Sequence, residues 1–221
     1  MKKSHHYLLI TLIASVIFTE KLNAQITTVN TYKNLITVKE SRADLLGSPY
    51  LYAEWQIATV KFGEGVQPKK ESIKYDLLDD ILVVKGEGGN EYTFTDPPKE
   101  FQILGSSEIY KNGFSAVDRF TQKTFYNVIY DGKVKYLKKD SKIVLESKSY
   151  NSASIEYKVA DETFFYLVKE DNRPVKVKNN EKSIISLLGK ADQLSKYIKE
   201  NKLDVKTDDG IVKLLTYYDT L

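Results

Sequence analysis

The sequence predicts a mainly β protein of the α+β kind, an antiparallel β-meander folded as a sandwich or roll and followed by a C-terminal segment of three short helices. Three observations predict it. Runs rich in aromatic and β-branched residues recur from Tyr50 to Lys178, each bounded by Gly, Pro, Asn or Asp. Asp131-Gly132 lies between two such runs, and this dipeptide favours a two-residue type I′ turn that pairs its flanking strands. Near Asn180 the apolar period changes from two to between three and four, the spacing of an amphipathic helix.

The first 24 residues read as a signal peptide. Lys2 and Lys3 precede the apolar run Tyr7 to Phe18, which is short for a bilayer span, and Ala24 is a small residue suited to cleavage before Gln25. The expected organisation is a leader at 1–24, an antiparallel β domain at 25–179 and a helical segment at 180–221 packed on it. No later stretch reads as a transmembrane segment, so the cleaved chain is expected in the periplasm or outside the cell.

Within the β domain, Leu35 to Lys39 reads as a strand and Tyr50 to Phe62 as the first long one. Ile73 to Leu77 turns at Asp79-Asp80 into Ile81 to Lys85, and the glycines of Gly86 to Asn90 turn it again into Glu91 to Thr95. Phe101 to Leu104 follows Pro97-Pro98. Asn112-Gly113 is read as a hairpin turn between Ile109-Tyr110 and Phe114 to Val117. For the Asp131-Gly132 hairpin the two-residue loop sets Ile129 opposite Val134 and Asn127 opposite Tyr136, with Tyr130, Lys133, Val128 and Lys135 on the other face. Ile143 to Ser147, Ile155 to Val159, Phe164 to Lys169 and Val175 to Lys178 complete the strands, with a tight turn at Asp171-Asn172. Among the helices, Ile184, Leu187 and Leu188 form one apolar stripe and Leu194, Tyr197 and Ile198 a second. Thr207 caps a third helix that carries Ile211, Leu214, Leu215 and Tyr218.

Composition narrows the chemistry. The chain has no Cys, and its two His, His5 and His6, and single Met lie in the leader. The remainder offers no Ser-His-Asp or Cys-His nucleophile, no histidine or thiolate metal site and no usual haem ligand, so neither cofactor nor metal is expected. The leader holds Lys2, Lys3 and Lys21 against Glu20, which leaves the rest of the 33 basic and 30 acidic residues balanced to within one charge. Such a balance gives no electrostatic case for nucleic acid.

What remains is carboxylate, tyrosine, lysine or serine chemistry. Asp76, Asp79 and Asp80 cluster at one turn, and two acids held at a suitable separation can hydrolyse a glycoside. Asp is also a favoured turn residue for its own backbone hydrogen bonds, and that is the preferred reading. The glycines at 86, 88 and 89 lack the Lys-Ser/Thr that a phosphate loop needs. Lys133, Lys135, Lys138 and Lys139, interleaved with Tyr136, read as a solvated strand face that could also meet a polyanion. Trp55, Tyr130 and Tyr136 are the aromatic candidates for stacking on a ligand.

Gly47-Ser48-Pro49-Tyr50-Leu51, the Ile73 to Asp76 strand, Phe125-Tyr126 with Asp131 to Val134, and the tail from Tyr197 to Leu203 and on to Tyr217-Tyr218 together resemble a family of uncharacterised exported proteins of Bacteroidetes-type bacteria. The Ala24-Gln25 junction fits the same family. The resemblance implies export, assigns no activity and carries over no site residue. The expected function is an exported, non-enzymatic binding or cell-envelope module with an envelope or extracellular partner. The alternative is a carboxylate-dependent hydrolase acting on glycans or another envelope polymer.

Overall fold

The computed structural model describes residues 35–38, 45–148 and 155–221. The leader and the junction before Gln25 lie outside them. The fold is mainly β, with one twelve-stranded sheet and three C-terminal helices. The strands are β1 (Leu35–Thr37), β2 (Leu45–Leu46), β3 (Gln56–Lys61), β4 (Lys69–Asp76), β5 (Ile81–Lys85), β6 (Glu91–Phe94), β7 (Glu100–Ile103), β8 (Ile109–Lys111), β9 (Tyr126–Asp131), β10 (Lys135–Lys148), β11 (Ile155–Val168) and β12 (Pro174–Val177). Along the sheet the order is β1-β6-β5-β4-β3-β7-β8-β9-β10-β11-β12, and β2 joins the outer edge of β11. Among the described residues only that last pairing is parallel.

From β3 to β6 the chain runs as a meander. It then crosses once, so that β7 takes the free edge of β3, and runs on as a second meander to β12. The sheet rolls until the β4–β5 turn meets β10: the Lys142 N–H donates to the Leu77 carbonyl at 3.1 Å. Inside this roll Tyr75, Phe101, Tyr110 and Phe125 pack edge-to-face or stacked, with ring centres 4.7 to 5.9 Å apart. Each such pair contributes about 0.5–1.5 kcal/mol beyond its buried area.

The helices are α1 (Glu181–Leu188), α2 (Ala191–Asn201) and α3 (Asp208–Asp219). Asn180 accepts from the Ser183 N–H to start α1, and Thr207 accepts from the Gly210 N–H to start α3, each satisfying an otherwise orphaned donor. Ile184, Leu188, Leu194, Ile198, Leu214 and Leu215 bury against Val134, Tyr136, Leu167 and Val177. The opposite face of β10 and β11, carrying Leu137, Tyr166 and Val168, is covered by Phe114 and Phe120 from the 113–125 loop.

Four elements differ from the sequence expectation. The first long strand begins only at Gln56. At the C-terminal end of β4 the Pro49 carbonyl accepts from the Leu77 N–H and the Leu51 N–H donates to the Tyr75 carbonyl, which folds the 49–55 segment back instead of extending it. Asn112-Gly113 does not make a hairpin. Both edges of β8 are taken, by β7 and β9, so Phe114 leaves the sheet and the Gly113 N–H bonds to the Gln122 carbonyl.

The central hairpin has a three-residue connection, Gly132 to Val134, with Asp131 opposite Lys135 and Tyr130 opposite Tyr136. A bulge then sets Leu137 opposite Val128. Gly132 lacks the positive φ that type I′ demands. Its small size serves another need: a Cβ there would overlap Asp219 Oδ2 and come within 2.6 Å of the Tyr130 ring. Last, the expected strands at 143–147 and 155–159 are the outer halves of β10 and β11, which are 14 residues each and pair along their whole length.

Candidate functional site

The three turn carboxylates do not converge. Asp76 is buried, and its Oδ1 accepts from the Leu78 and Asp79 N–H groups at 2.9 and 3.1 Å, which closes the turn after β4. Asp79 is exposed. Asp80 takes a left-handed backbone, φ 57°, which aims its carboxylate across the roll. There Oδ1 accepts from Lys139 Nζ at 2.6 Å and from Tyr75 Oη at 2.5 Å.

Lys139 is only 1 % exposed and lies over the rings of Tyr75 and Phe120. Burial lowers its pKa, and the Asp80 charge offsets part of that fall. Burial, reinforced by Asp80, raises the Tyr75 hydroxyl well above 10, so it stays a neutral donor. The alternation of β10 gave no sign of this. Leu137, Lys139 and Ser141 share one face, and what separates a buried Lys from an exposed one here is the long-range approach of the β4–β5 turn.

Beside this cluster opens a cleft of about 370 Å³ lined by Asp80, Arg119, Phe120, Thr124, Ser141 and Lys142. Its cations hold protein acceptors. Arg119 donates to Glu162 at 2.5 Å and to Ser141 at 3.1 Å, and Lys142 Nζ donates to the Ser48 carbonyl at 2.8 Å. Lys123, at the rim, donates to the Thr95 carbonyl at 3.0 Å. The groups fasten loops to the sheet. Ser141 Oγ faces Arg119 and the Leu77 carbonyl, neither of which is a base for a nucleophile. Among the described residues no three His, Cys, Asp or Glu side chains gather as metal ligands.

The remaining candidates fall in two places. Trp55 is half-buried at the start of β3, with the ammonium groups of Lys74 and Lys85 at 5.0 and 5.8 Å from its ring. Tyr130, Lys133 and Lys135 belong to the central hairpin and are held there. Tyr130 Oη and the Lys133 N–H donate to Asp219 Oδ2 of α3 at 2.7 and 3.0 Å, and Lys135 pairs with Asp131. Tyr136 lies wholly under the helices and donates to Asn179, so it is not part of a ligand-facing surface with the lysines. Lys139, expected on that same outer face, is inside the roll.

A different surface stands open. Pairing of β10 with β9 ends at Lys138, and pairing of β11 with β12 ends at Phe165. Beyond these the two strands continue as a ribbon, with β2 seated on β11 at Tyr157 and Lys158. Val144, Leu145, Ile155 and Tyr157 are 40 to 48 % exposed there, and Leu46 of β2 is 52 % exposed. Among the described residues no strand other than β11 pairs with β10 from Val144 onward, so its other edge is open. A free edge beside exposed apolar side chains is the arrangement that accepts another strand. No Gly or Pro interrupts 135–148, which was the one sign in the sequence of an arm this long.

Among the described residues no helix is long and apolar enough to cross a membrane. Compared with protein-family models, curated proteins and solved structures, the chain matches none.

Proposed function

We propose that the protein is an exported, non-enzymatic binding module whose partner is a polypeptide of the cell envelope or its surroundings. The partner adds an extended strand to the free β10 edge of the ribbon. The observation that carries this reading is that edge, flanked by exposed Val144, Leu145, Ile155 and Tyr157. The protein already uses the mode once, since β2 seats on the opposite edge of the same ribbon. Main-chain hydrogen bonds supply affinity in such a pairing, and the alternate apolar side chains select the sequence.

A carboxylate-dependent hydrolase is the weaker reading. Asp76 holds its own turn and Asp80 is bound to Lys139 and Tyr75, which leaves neither as half of an acid pair facing the cleft. The test is capture from envelope extract with the tagged mature protein and with the double variant Val144→Asp, Leu145→Asp. A recurrent polypeptide held by the first and lost by the second, with unchanged circular dichroism, is the expected result. Equal capture by both would place the partner elsewhere.

A further inference from the structure

We infer that Asn112 is a latent deamidation site that the native fold holds shut and that opening of the 112–122 loop releases. Asn112-Gly113 is the one Asn-Gly step in the chain. In this reaction the Gly113 backbone nitrogen attacks Cγ of Asn112. The new N–Cγ bond closes a succinimide, the Cγ–Nδ2 bond breaks, and ammonia leaves with the proton from the Gly113 N–H. Water then opens the ring to aspartate or isoaspartate. Glycine makes the step easy because no side chain shields its nitrogen.

Three features of the structure oppose it. The attacking nitrogen is engaged, donating to the Gln122 carbonyl at 2.9 Å. The leaving amide is anchored, with Nδ2 donating to the Pro98 carbonyl at 2.7 Å while the Asn112 N–H donates to Lys99. The third concerns the oxygen that must take the developing charge: Asn112 Oδ1 is buried and has no hydrogen-bond donor among the described residues. An oxyanion forming there receives neither water nor a protein dipole, so the barrier in the folded state is high. Once the loop opens, all three restraints vanish together.

The same contacts oppose return of the loop to its closed form after the change. A carboxylate at 112 has no N–H for the Pro98 carbonyl and places a charge where Oδ1 finds no donor. The modified loop therefore reseats poorly.

The experiment incubates the mature protein at mildly alkaline pH, folded and in denaturant, and follows the tryptic peptide 112–119 for the mass gain of amide-to-acid conversion. Conversion at least about tenfold slower in the folded sample is expected, because it must pass through local opening. Equal rates, or no conversion in denaturant, would overturn the inference. An Asn112→Asp variant checks the second half and is expected to melt at a lower temperature than the parent. An unchanged Tm would show that the loop reseats with the product and would overturn this second half.

Discussion

Lys139 Nζ and Asp80 Oδ1 lie 2.6 Å apart and join β10 to the β4–β5 turn, closing the roll by an ion pair whose basic partner is 1 % exposed and whose acid is 23 % exposed. The asymmetry in exposure sets what each half costs to remove. Asp80→Asn leaves a buried cation without its hydrogen-bonded counter-charge in an aromatic setting, and about 3 kcal/mol of stability is expected to be lost. Asparagine tolerates the left-handed backbone at this position, so the loss reports charge. Lys139→Met leaves an acid that can turn to water, and about 1–2 kcal/mol is expected. Urea unfolding of the two variants should rank them in that order.

Alkaline pH is expected to unfold the protein. Burial raises the hydroxyl pKa values of Tyr75, Tyr110, Tyr126, Tyr136 and Tyr166 far above 10. A group whose folded pKa is raised stabilises fully below its unfolded value, about 10 for tyrosine, and loses that contribution as pH climbs beyond it. Lys139, with a lowered pKa, acts in the opposite sense but is one group against five. The tyrosinate absorbance of these five should therefore appear as a separate late step coincident with loss of circular dichroism. Complete ionisation of all the tyrosines at ordinary tyrosine pH, with the fold intact, would contradict it.

Gly132→Ala is expected to cost about 1–3 kcal/mol, because the added methyl group overlaps Asp219 and crowds the Tyr130 ring. In an Asp219→Ala background the same change should cost less, since the carboxylate it strikes is gone. A double-mutant cycle on Tm measures that coupling, and additive effects would show that the two positions act independently.

Helix starts offer a smaller effect. Thr207→Ala removes the acceptor for the Gly210 N–H and should cost about 1 kcal/mol, whereas Thr207→Ser should cost little. Thermal melts of the pair separate the lost hydrogen bond from lost bulk.

Much of the fold was legible in local pattern. The β4-β5-β6 meander, the Asp171-Asn172 turn and the cap at Thr207 all follow from residues within a few positions of one another. The misread parts depend on distant chain. The register of the central hairpin is set by Asp219 arriving over Gly132, and Asn112-Gly113 fails as a hairpin because β7 and β9 already occupy β8. Lys139 is buried because Asp80 reaches it across 59 residues of sequence. Nothing in a strand's own alternation announces a partner that far away.

The clamp of Asp219 on the Lys133 N–H also bears on the order of folding. The two groups are 86 residues apart, so the connection at the middle of the sheet cannot take its final form until nearly the whole chain has been made. Contacts of such long range slow folding, because loop-closure entropy is lost before they form. A nascent chain that ends after β12 would hold both meanders without the helices that cover β10 and β11, and would leave that apolar face exposed until its last helix emerged.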